Sequence, residues 1–127
     1  MSIDFSSVEL LMHNLDEMLV LQTYEYEQAI LKENMAREAK VEAANELEGE
    51  FNKTFLRVLH GDLKTDAGKP FAQSVAKDVA KAMCSELRQE YAMAESTHET
   101  MMSLARIEME KMNAIKKLIE ARSRLGG

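Results

Sequence analysis

The residues that stop helices and make turns are confined, in this chain, almost wholly to one short stretch. Apart from Gly49 and the terminal Gly126 and Gly127, every glycine and the sole proline fall within Gly61-Asp-Leu-Lys-Thr-Asp-Ala-Gly-Lys-Pro70. A β architecture needs a turn signal roughly every 8–12 residues, so a chain that carries its signals in one place does not build one. Two long, uninterrupted segments remain on either side, and the regular backbone open to them is the helix.

Apolar spacing supports this. Ser6 and Glu9 have the separation of a capping box, and Phe5 is placed to staple onto Leu10 or Leu11. From there Val8, Met12, Leu15, Leu19, Tyr26 and Ala29 recur at threes and fours, with Gln22 interrupting them. The stripe thins to Ala29, Ala36 and Ala43, seven apart, and recovers as Leu47, Phe51, Phe55 and Leu59. Alanine has the highest helix propensity, so the thin middle is expected to stay helical. Gly61 suits the left-handed residue that closes a helix, and Pro70 suits the first turn of the next, with Thr65 or Asp66 as alternative caps. A second seam then runs through Ala76, Ala80, Leu87, Tyr91, Ala94, His98, Met101, Ala105, Met112, Ile115 and Ile119. Gly49 and Ser96 to Thr100 are the weakest helical spots, where a kink is most easily placed.

The expected fold is therefore all-α: a single domain over residues 1–127, with a helix at about 6–60, a turn at 61–69 and a helix at about 70–125. Folded at that turn, the arms form a long antiparallel helical hairpin of coiled-coil type. Facing residues then have numbers adding to roughly 131, a value set by the turn position. Phe51 is set against Ala80, Phe55 against Ala76, Leu59 against Ala72, Tyr26 against Ala105, Ala29 against Met102, Leu19 against Met112 and Met12 against Ile119. Bulk meets small residues over much of the length, as dense packing requires. Leu10, Leu11, Leu21, Ile30, Leu31, Val41, Val58, Leu104, Ile107 and Leu118 lie off the seam and stay partly exposed in a lone pair. That surplus points to pairing into a four-helix bundle dimer or a higher homo-oligomer.

Charge and cysteine content narrow the function. A net charge of −6 and a pI near 5.1 speak against a chain whose main task is gripping a nucleic acid backbone. Lys116, Lys117, Arg122 and Arg124 crowd the last turns, where the helix dipole favours cations; nucleic-acid contact there is the lesser reading. The lone Cys84 permits no internal disulfide and has no base beside it in sequence, so packing is its expected role. No signal peptide is expected, since Asp4 lies where its apolar stretch would begin. The apolar runs Leu10–Met12 and Met18–Leu21 are too short to cross a bilayer, so a cytoplasmic, non-membrane chain is expected.

Catalytic patterns are scarce. The sequence has no phosphate-binding glycine loop, no nucleophile elbow and no Cys/His spacing for zinc. His60 sits where a helix C-terminus favours a cation. Glu95-Ser-Thr-His98 puts a carboxylate and an imidazole on adjacent turns, and the expected register sets Glu33 opposite His98. Two copies would bring together two each of Glu33, Glu95 and His98. Over those three residues the set resembles the dimeric ferritin-like di-iron proteins, which implies iron ligands at Glu33, Glu95 and His98 and redox or iron-handling chemistry. The favoured reading of the same residues is a charge-assisted Glu33–His98 pair that fixes register, with no cofactor.

The expected function is thus a non-enzymatic interaction protein: an assembly factor, adaptor or chaperone-like subunit that docks partner helices. Ten methionines and no tryptophan suit an irregular helix interface first and an adaptable docking surface second. Met18, Met35, Met93 and Met109, assigned to outer stripes, are the expected partner-binding residues. Di-iron chemistry is the alternative, and a small nucleoprotein subunit acting through the basic tail is the third.

Overall fold

The computed structural model describes residues 14–61, 64–65, 67–69 and 71–126. Three helices account for nearly all of them: α1 (Leu15–Leu59), α2 (Gln73–Met83) and α3 (Ser85–Gly126). The fold is all-α, with no strand among the described residues. No helix among them is long and apolar enough to cross a membrane. The Ser6–Glu9 cap, the Phe5 staple, Val8, Met12, Asp66 and Pro70 lie outside the described residues, as does the expected helix start near residue 6.

α1 places Asp16 and Glu17 in its first turn and Arg57 in its last, each sign at the dipole end that favours it. It runs without interruption through Gly49, just as α3 runs through Ser96 to Thr100. The first arm ends where the sequence indicates. Gly61 takes φ 77°, and its amide donates to the Val58 carbonyl (3.2 Å) while the His60 amide donates to Leu56 (2.9 Å). A side chain at Gly61 would meet the steric penalty of the left-handed region. Beyond it, Gly68 (φ 74°) closes a small turn by donating to the Thr65 carbonyl at 2.9 Å.

The second arm departs from expectation in two respects. It begins at Gln73, because Ala72 is extended (φ −60°, ψ 143°) and its carbonyl accepts the first helical amides, from Val75 and Ala76. It is also not one helix. Cys84 leaves helical geometry (φ −98°, ψ 19°), and its amide is shared between the carbonyls of Ala80 (3.1 Å) and Lys81 (3.2 Å). That bifurcated bond tightens the end of α2, and the Cys84 carbonyl then accepts from Arg88 to start α3. With no glycine or proline nearby, the interruption leaves no local trace in sequence.

The described chain divides into two compact units. In the first, residues 15–35 of α1 run antiparallel to residues 99–126 of α3. Leu15, Met18 and Ile115 form its buried cluster, with Leu19, Leu118 and Ile119 packed against them. Further along, Gln22 is buried and donates through Nε2 to the Glu108 carbonyl (2.9 Å) and carboxylate (2.6 Å). Tyr26 and Ala105 border one groove, while Ala29 and Met101 border another. Gln22 thus meets Glu108, one residue from the position that the expected sum of about 131 sets against it. The register drifts by about a turn at Thr23, whose hydroxyl donates to the Met112 sulfur (3.9 Å).

In the second unit, residues 36–98, Thr54 and Val58 of α1 are buried, as are Ala76 and Ala80 of α2 and the free Cys84. Spacings of four put Ala76, Ala80 and Cys84 on one side of α2, so a short helix with little bulk seats itself through its smallest residues. Phe51 and Phe55 stack with ring centres 6.0 Å apart and planes 6° from parallel. Phe51 shares a groove with Lys77 and Lys81 of α2.

Candidate functional site

The first unit carries a second apolar stripe. Val20, Tyr24 and Leu31 are each more than half exposed (71%, 57% and 52%), and Met35 lies on the same side at 63%. Spacings of four, seven and four place them on one face of α1, opposite the face that buries Leu15, Met18 and Gln22. Across the unit, Leu104 and Ile107 of α3 are also exposed.

Of the methionines assigned to docking, Met35, Met93 and Met109 are exposed. Met18 is not. It lies three residues after Leu15 and four before Gln22, which turns it into the core at 7% exposure, where it packs against Ile115. The seam passes through Leu15, Met18 and Gln22, leaving Leu19 at its margin. The outer-stripe assignment of Met18 is therefore corrected, and Val20, which sequence reading passed over, lies on the outer face.

The second unit contains a groove of about 360 Å³. Its floor is apolar, from Ala44, Leu47 and Phe51 of α1 and Tyr91 of α3. Its rim carries three cations, Lys77, Lys81 and Arg88, against one acid, Glu48. None of the three cations forms an ion pair or side-chain hydrogen bond among the described residues. Lys77 and Lys81 come from α2 and Arg88 from α3, and spacings of four and seven keep the three on one side across the interruption at Cys84. The spacing of Lys77, Lys81 and Arg88 at four and seven was visible in the sequence, but the α1 residues that complete the groove beside them were not.

The chain matches no known protein family, no curated protein and no solved structure.

The residues of the metal reading divide between the two units. Glu33 borders a groove of about 200 Å³ with Tyr26, Ile30, Met102 and Arg106 in the first unit. Glu95 and His98 belong to the second, with His98 buried and Glu95 half-buried. Glu33 and His98 each take part in an interaction within the chain. Among the described residues no three His, Cys, Asp or Glu side chains gather so as to hold a metal ion within the chain. The Glu95 carboxylate instead accepts a hydrogen bond from the Tyr91 hydroxyl (3.1 Å). That bond, then the carboxylate charge, then burial push the Tyr91 phenol above its ordinary range. Replacing Glu95 by glutamine is expected to bring one tyrosine back down in an ultraviolet pH titration, and an unchanged curve would refute the coupling.

Of the basic tail, Lys116, Lys117 and Arg124 are exposed. Arg122 is held within the chain: its Nη2 donates to both carboxylate oxygens of Asp16, at 3.1 and 3.2 Å. The antiparallel arrangement of this unit brings the start of α1 beside the end of α3, so an acid and a cation, each placed for its own helix dipole, also meet each other.

Proposed function

We propose that this chain is a non-enzymatic helical interaction protein, an assembly factor, adaptor or chaperone-like subunit. In this reading the two arms form an antiparallel, coiled-coil-like hairpin that docks helices of a partner or of a second copy. The observation that carries it is the outer face of α1, where Val20, Tyr24, Leu31 and Met35 stand largely in solvent on a helix whose opposite face is already packed. A helix apolar on two faces gains free energy by covering the second, at roughly 25 cal/mol per Å² of apolar area removed from water. The exposed Met35, Met93 and Met109 add adaptable contact surface.

Sedimentation of the purified chain, together with capture from cells of its source, tests the reading. The wild type is expected to self-associate or retain a helical partner. Val20→Glu combined with Leu31→Glu should weaken that association about tenfold or more while helicity by circular dichroism is unchanged. A wild-type chain that stays monomeric and retains no protein would overturn the proposal.

A further inference from the structure

We propose that the groove rimmed by Lys77, Lys81 and Arg88 in one copy receives the outer face of α1, from Glu17 to Leu31, of a second copy. The inference rests on the helical-interaction reading and names its partner. The receiving surface is apolar at its floor and carries three cations against the single acid Glu48, in a chain whose net charge is −6. The entering surface is its complement. Between positions 17 and 31 the sequence has Glu17, Glu25 and Glu27 and no lysine or arginine. Glu17 and Glu27 share the exposed face with Val20, Tyr24 and Leu31, and neither forms an ion pair among the described residues.

The two surfaces also suit each other in extent. From Ala44 to Phe51 the floor covers about two helical turns, and Val20 to Leu31 covers about three. An apolar helix face edged by carboxylates can thus lay Val20 and Tyr24 on the floor while its acids reach the ammonium and guanidinium groups of the rim. Such opposite charges steer encounter and fix orientation more than they add affinity, which the apolar contact supplies. Because the entering and receiving surfaces differ, the contact either closes by reciprocal exchange into a dimer or continues from copy to copy.

Charge reversal with rescue tests this on the full chain. Sedimentation velocity would compare the wild type with a groove variant (K77E, K81E and R88E) and a stripe variant (E17K and E27K). All five positions are exposed, so helicity should be retained. Each variant alone is expected to self-associate about tenfold more weakly, and mixing the two should restore association, since reversed groove then meets reversed stripe. Wild-type association should also fall as salt rises. If the wild type associates but neither variant alters it, or if mixing restores nothing, the groove assignment is overturned while the broader reading stands. A wild type that is monomeric yet retains another protein through the groove overturns self-docking in favour of a different occupant.

Discussion

Replacing Ile115 by alanine will lower the unfolding free energy by about 3 kcal/mol, seen as a lower urea midpoint at unchanged slope. Ile115 is fully buried and forms, with Leu15 and Met18, the cluster that joins α1 to α3 in the first unit. Truncation there removes apolar contact and leaves a cavity, since the neighbouring side chains are held by their own helices and collapse only in part. Leu15→Ala should cost a similar amount. The double variant should cost less than the two singles added, because residues in contact lose part of the same interaction twice. Strict additivity would show that the two side chains do not share a core. Ile107→Ala serves as the exposed control and should change stability by well under 1 kcal/mol.

The second unit should fail in the opposite way, through excess volume. Ala76→Leu is expected to cost about 3 kcal/mol, and hydrogen exchange in α2 should rise before the rest of the chain loosens. Ala76 has no exposed surface, and α2 is only eleven residues long with Ala76 and Ala80 as its buried residues. A leucine has nowhere to go except by lifting the helix. Ser74→Leu, two positions away on an exposed site, should stay within about 0.5 kcal/mol of the wild type. If Ala76→Leu were tolerated and exchange in α2 unchanged, the small-residue face would not be what seats the helix.

These stability effects and the docking proposals concern different faces of the same helices. Along the first part of α1, the face through Leu15, Met18 and Gln22 fastens the unit, and the face through Val20, Tyr24 and Leu31 is left over. Substitutions on the second face should therefore change association while leaving the unfolding transition nearly where it was. The polar contacts divide in the same manner. Gln22 is buried and bonded to Glu108, which penalises any register that leaves its amide without an acceptor. Lys77, Lys81 and Arg88 carry no such internal duty among the described residues and are open to an incoming acid.

The sequence by itself determined that this chain is helical and that its first described helix ends just before Gly61. Those features are local, so spacing and glycine placement suffice to read them. Tertiary structure alone decided that Met18 lies buried in the core with Leu19 at its margin, that the second arm starts at Gln73, and that it is interrupted at Cys84. Neighbouring positions on a helix differ by only a fraction of a turn in direction, and the relative rotation of two packed helices chooses between them. The interruption at Cys84 has no glycine or proline to announce it. Lys77, Lys81 and Arg88 already share a side at helical spacing; the packing of α1 beside them decides that this side borders a groove.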